Sequence, residues 1–205
     1  PALAEMLVDT LIRLQAWEEL SDWLPRLAGA LSRERSQALA ISAHREVMAW
    51  LATTGGRIER ASALRRLKEY WSALSPALRA QPELAESCAE GMAKLGFDDE
   101  AEQLTREALE RQWHHGLLLL YGRLRTSLPD QALKQAQSWR SCHAGSPVLW
   151  LTLGRLHLQN RDWQSARECF EHSLSLGKST EAYAEYVRLL QHLNDPEAIH
   201  YLVAG

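Results

Sequence analysis

The sequence has little of what stabilises small secreted domains or builds linkers. Its 205 residues include three cysteines, Cys88, Cys142 and Cys169. That number is odd, the spacing is wide and no CxxC pair occurs, which argues against a disulfide framework. Cys88 and Cys169 sit on apolar helix positions and are expected to be buried as small hydrophobes. Seven prolines and eleven glycines are scattered along the chain, so no stretch has the composition of a flexible linker and one continuous body, 1–205, is expected. Long apolar runs are missing too: stretches such as Leu117 to Tyr121 fall far short of the roughly 18 to 20 residues that cross a bilayer. The segment is therefore expected to be soluble. No basic stretch precedes the apolar residues of Pro1 to Thr10, so the start does not read as a signal peptide. A formal net charge of -3 and a pI near 6.3 supply no clustered basic field, which argues against nucleic acid as a partner. No strand pattern precedes Gly55-Gly56 and no GxGxxG follows, so that pair reads as a helix stop and turn, not a phosphate loop.

What the chain does have is helical periodicity. Ser146 is placed as an N-cap, with Pro147 at the first helical position, where its missing N–H costs nothing. Trp150, Leu153, Gly154 and His157 then line one helical face. Asn160-Arg161-Asp162 breaks the pattern, and a second helix carries Trp163, Ala166, Phe170, Ser173 and Leu174 inward. The segment 147–176 thus reads as a helical hairpin. Others are expected at 1–31, 82–111, 117–141 and 181–203, with a divergent helix pair at 33–75. In the first, Ala4, Leu7, Val8 and Leu11 face Trp17, Leu20, Leu24 and Leu27. In the second, Ala85, Cys88, Ala89 and Met92 face Ala101, Leu104, Ala108 and Leu109, and Asp98 and Asp99 favour the positive end of the returning helix. The third is broken at Leu128-Pro129-Asp130. The last runs from Tyr183 to Leu193 and, after Asp195-Pro196-Glu197, into a short helix to Val203. Trp23, Trp50, Trp71 and Trp139 are expected as core or inter-repeat fillers.

The spacing Trp150, Leu153-Gly154, His157, Ala166, Phe170 resembles the tetratricopeptide signature, with His157 where that motif has Tyr and Lys178 where it has Pro. The resemblance implies an all-α fold, an α-α superhelix of antiparallel helix pairs whose inner groove binds a partner. The order of segments resembles, more specifically, the C-terminal region of the HemY family. The resemblance is carried by Arg111-Gln112-Trp113, Leu120-Tyr121-Gly122-Arg123-Leu124, Leu149 through Leu156 and Glu181-Ala182-Tyr183-Ala184. That family resemblance implies a bacterial inner-membrane protein with an N-terminal anchor and a repeat body on the cytoplasmic side. It also implies an accessory, non-enzymatic scaffold role in late haem (porphyrin) biosynthesis with partners among its enzymes, the alternatives being a direct haem or porphyrin carrier and a generic assembly or chaperone adaptor. The protoporphyrinogen oxidase that shares the name has a different fold, and nothing here carries its dinucleotide fingerprint.

Chemistry has few candidates. Adjacent helical residues diverge by about 100°, so His114 and His115 cannot both hold one ion on a regular helix, and a tetrahedral metal site finds no second ligand pair. No metal is expected, and no catalytic residue. Axial haem ligation needs only one histidine and a pocket, so Trp113, His114, His115 and Tyr121 form the candidate haem contact, the two aromatics supplying a flat wall. The run Arg57 to Glu69 is locally basic and reads either as a solvated helix face or as a surface drawn to anionic lipid. On the first helix of each pair, Arg123, Arg125, Leu151, Arg155 and Gln159 are expected to face outward into the groove, where their basic bias suits an acidic or C-terminal peptide segment.

Overall fold

Helices form wherever apolar residues recur at three- and four-residue spacing, and among the described residues every regular element is a helix. The computed structural model describes residues 2–27, 29–54 and 59–193. The Gly55-Gly56 turn, Arg57 and the short helix expected up to Val203 lie outside them. The chain divides into two compact units, Pro1–Gln112 and Trp113–Gly205.

The first unit contains α1 (Ala2–Arg13), α2 (Trp17–Leu27), α3 (Arg33–Thr54), α4 (Arg60–Ala73), α5 (Pro76–Arg79), α6 (Pro82–Lys94) and α7 (Asp98–Arg111). The faces of the expected N-terminal hairpin meet: Ala4, Val8 and Leu11 of α1 and Leu20 and Leu24 of α2 form one buried cluster, completed by Leu39 and Ala43 of α3. Further on, α3 packs on α4 and α6, and α6 on α7. The approach of α6 to its neighbours is close at Gly91. A Cβ at Gly91 would stand 2.9 Å from Leu67 Cδ2 and 3.3 Å from Ala52 Cβ.

The second unit contains α8 (His115–Arg123), α9 (Pro129–Ser138), α10 (Arg140–His143), α11 (Pro147–Gln159), α12 (Trp163–Leu176) and α13 (Thr180–His192). The expected cap is present, with the Ser146 hydroxyl accepting from the Leu149 N–H at 3.3 Å. The last helix starts at Thr180, ahead of the expected Tyr183, because Ser179 caps it by accepting from the Ala182 N–H. Gly154 is forced by its surroundings: a Cβ there would stand 2.6 Å from Phe170 Cδ1, inside the ring's van der Waals surface. In the segment 117–141 the two helices do not simply fold on each other; α8 and α9 both pack against α11, which therefore organises the unit.

Three turns repeat one geometry that the residue types conceal. After α1, α6 and α11 the residues Gln15, Gly96 and Arg161 take positive φ of 54°, 85° and 59°. The following N–H groups, of Ala16, Phe97 and Asp162, each reach back five residues, to Leu11, Met92 and His157 carbonyls at 3.0, 3.0 and 2.9 Å. This left-handed cap satisfies carbonyls that the helix end leaves unpaired. Only one of the three positions is glycine, the residue that adopts this conformation without a Cβ penalty.

The expected tryptophan fillers need correction. Trp23 and Trp50 are 39% and 51% exposed, and Trp71 and Trp139 are only partly buried. The core is closed by smaller residues, and the indoles stay at its margin. Cys88 and Cys169 are buried as expected, and burial pushes their thiols up to about 12 and about 11.

Candidate functional site: a basic depression in the second unit

The site begins with a close helix contact. At Gly122 of α8 a Cβ would stand 3.1 Å from Thr152 Cα of α11, so a larger residue would push these backbones apart by a few tenths of an ångström. The Thr152 hydroxyl then donates to the Leu118 carbonyl at 2.8 Å, and the Gln159 amide donates to the Gly122 carbonyl at 3.1 Å. These bonds fix the register of α8 on α11. They also draw Arg123 and Arg125 beside Arg155 and Gln159 around one depression of 330 Å³.

Within it the arginines differ. Arg123 and Arg125 are exposed, and the Arg123 Nε donates to the Leu119 carbonyl at 3.2 Å, which steadies its stem. Arg155 is 8% exposed; its Nη2 donates to Glu181 Oε1 at 2.9 Å and its Nε to Glu185 Oε1 at 3.0 Å, both carboxylates belonging to α13. Its Nη1 is buried without a hydrogen-bond partner. A buried unpartnered N–H on a cation carries a desolvation cost of about 1–3 kcal/mol, more for charge. Trp163, 36% exposed, and Leu158 supply apolar wall.

Of the five residues expected in the groove, the structure gathers four. Leu151 is the exception and a correction: it is 2% exposed and packs with Ala166, Phe170, Tyr186 and Leu190. Arg155 also faces inward, contrary to expectation, because α13 lies over it and supplies two carboxylates. Sequence reading gave Glu181 no part in the groove and did not single out Glu185. Their spacing of four on one helical face was the available signal.

The residues proposed for haem are not arranged as a wall. Tyr121 is 1% exposed, with its hydroxyl donating to the Ala132 carbonyl at 3.4 Å, so its ring is core. His114 is not inside a helix; its Nδ1 accepts from the Leu117 N–H and caps α8, while His115 is the first residue of α8 and exposed. Trp113 has one face stacked on His143, with centroids 3.7 Å apart and planes at 8°, and meets Trp139 edge-on at 5.8 Å.

Elsewhere, Asp98 and Asp99 stand in the first turn of α7, as expected of a helix entry. On α4 the basic face is exposed, with Lys68 3.7 Å from Glu100 and the Arg65 guanidinium donating to Ser62 at 3.4 Å. Asp162 caps α12 by accepting from the Ser165 N–H at 3.1 Å, and Ser165 is the main cause of its depressed pKa, with His157 at 3.0 Å assisting. Among the described residues no group of three His, Cys, Asp or Glu side chains could hold a metal ion, and no helix is long and apolar enough to cross a membrane.

No protein-family model matches the chain. Among solved structures, the C-terminal part of a TPR repeat-containing protein from Cytophaga hutchinsonii aligns over 96% of this chain and 75% of its own, with a TM-score of 0.49 and 16% identity. MamA from Desulfovibrio magneticus RS-1 aligns over 78% of this chain and 92% of its own, with a TM-score of 0.47 and 14% identity. Protein HemY of Escherichia coli strain K12 is 29% identical over 201 residues, 96% of this chain and 48% of HemY, so the chain spans about half the length of the curated relative it matches. Along nearly all of its length, then, the chain is similar to HemY, as the order of its segments implied.

Proposed function

We propose that this chain is the helix-pair body of a non-catalytic scaffold that holds partner proteins, in the setting its likeness to HemY implies: the cytoplasmic side of a bacterial inner membrane, beside enzymes of late haem biosynthesis. The observation that carries the reading is a depression lined by three guanidinium groups, of Arg123, Arg125 and Arg155, the first two exposed, against one carboxylate, Glu185. Its occupant is an acidic stretch of a partner, whose carboxylate forms charge-assisted hydrogen bonds with the guanidinium groups. Support for the absence of catalysis comes from the side chains themselves. The two buried thiols stay protonated, and the histidine beside a carboxylate, His157, belongs to a helix cap.

Placing a photo-crosslinking amino acid at position 123 of the full-length membrane protein tests this in cells. The expected products are discrete adducts with haem-pathway enzymes that disappear when Arg125 is replaced by Glu. A crosslinker that couples only to water or lipid would overturn the assignment.

A further inference from the structure

The first unit carries a cleft of the opposite chemistry. It lies between the turn that joins α1 to α2 and the second half of α3, and has a volume of 610 Å³, within the range of ligand-binding clefts. Two indoles line it from different helices, Trp17 from the start of α2 and Trp50 from α3. Three carboxylates, Glu18, Glu19 and Glu46, complete the rim, and among the described residues no Lys or Arg contributes to the lining.

Ordinary structural roles account for part of this. Glu18 and Glu19 stand in the first turn of α2, where a carboxylate complements the helix dipole. That does not account for Glu46, which stands mid-helix in α3, nor for Trp50, which leaves half its surface exposed one turn further on. All three glutamates are exposed, and among the described residues none of them has an ion-pair partner, although surface carboxylates elsewhere in the unit, Glu5, Glu100 and Glu102, do. Negative charge beside a half-exposed indole, Trp50, and a partly buried one, Trp17, is a setting that stabilises a cation twice, by Coulomb attraction and by the ring quadrupole.

We propose that this cleft docks a lysine- or arginine-rich segment of a partner polypeptide, with a basic side chain between Trp17 and Trp50 and its neighbours on the three carboxylates. The volume exceeds what one ammonium group fills, which favours an extended peptide over a small cation. The acid-lined cleft and the basic depression of the second unit thus select segments of opposite charge.

The test is fluorescence anisotropy of the intact chain with a labelled octapeptide alternating Arg and Ala, run beside its citrulline counterpart, which keeps the shape and loses the charge. The arginine peptide is expected to bind saturably at moderate salt and the citrulline peptide not to bind. Trp50→Ala and Glu46→Gln should each weaken binding about tenfold, whereas Glu34→Gln, an exposed carboxylate on the same helix but outside the cleft, should leave it unchanged. Because residues 46 and 50 are exposed, circular dichroism melts of both variants should match the parent. Equal loss in all three variants would mean diffuse charge attraction and overturn the proposal. So would binding of the citrulline peptide, or a dimer in sedimentation velocity that Glu46→Gln dissociates, which would make a second copy the occupant.

Discussion

Replacing Gly154 by alanine sets two well-calibrated effects against each other. On an exposed helix the change stabilises by about 1 kcal/mol, because alanine loses less backbone entropy than glycine. In α11 the new methyl would fall 2.6 Å from Phe170 Cδ1 and 2.9 Å from Cζ, where real Cβ contacts do not occur. Phe170 is completely buried and cannot swing away, so α11 and α12 must separate. Overpacking of this kind costs about 1–3 kcal/mol and sometimes more. An overlap with three ring atoms belongs at the upper end, which leaves a net loss of about 2 kcal/mol. Urea unfolding followed by circular dichroism reads it as a lower midpoint at unchanged slope. The double variant Gly154→Ala, Phe170→Leu should recover at least half of the loss, a coupling that only neighbouring side chains show. If Gly154→Ala alone raised the midpoint, the helix preference would have won and the stated contact between α11 and α12 would be wrong.

Further outcomes follow from single contacts. Gln15→Gly and Arg161→Gly, at positive φ of 54° and 59°, should each stabilise by about 0.5–1 kcal/mol in the same assay, as removal of a left-handed Cβ penalty requires. Ser173→Ala removes a buried hydroxyl that donates to the Pro147 carbonyl at 2.7 Å and should cost about 1 kcal/mol. His44, whose Nδ1 lies 2.7 Å from the Tyr70 hydroxyl, has its pKa lowered by burial from the ordinary 6.5. The unfolded chain therefore binds its proton more readily; the stability it contributes is complete above pH 6.5 and declines as the pH falls through 6.5 towards the folded-state value. Melts between pH 7.5 and 5 should show this slope, and it should be shallower in His44→Gln. Haemin titration should give no saturable Soret shift that His114→Ala or His115→Ala abolishes, since Tyr121 is core and Trp113 is stacked on His143, which leaves no aromatic wall beside either histidine.

Much of the fold is legible because its determinants are local. Period and caps are written into Ser146-Pro147 and into the paired faces of Ala4, Val8 and Leu11 with Leu20 and Leu24. Gly154 is legible as a close-approach residue, since only a helix contact explains a glycine there. The recurring left-handed turn was not legible at Gln15 and Arg161, because backbone hydrogen bonds impose that conformation against the preference of the residue. The candidate site was half legible. Arginines on the first helices of successive pairs reveal a basic bias, but which of them remain accessible depends on α13. Only packing shows that Glu181 and Glu185 take two nitrogens of Arg155 and leave the third. Tyr121 shows the same limit from the other side: an aromatic beside a histidine suggests a binding wall, and long-range burial makes it core.

Isothermal titration of the intact chain with a glutamate-rich peptide bears most directly on the central claim that the basic depression is the partner surface. The informative variant is Arg123→Ala, Arg125→Ala, because Arg155 also anchors α13 and its loss would disturb the fold. Saturable binding to the parent that weakens at least tenfold in this double variant, with both melting alike, is the predicted result. Equal affinity in parent and variant would contradict it.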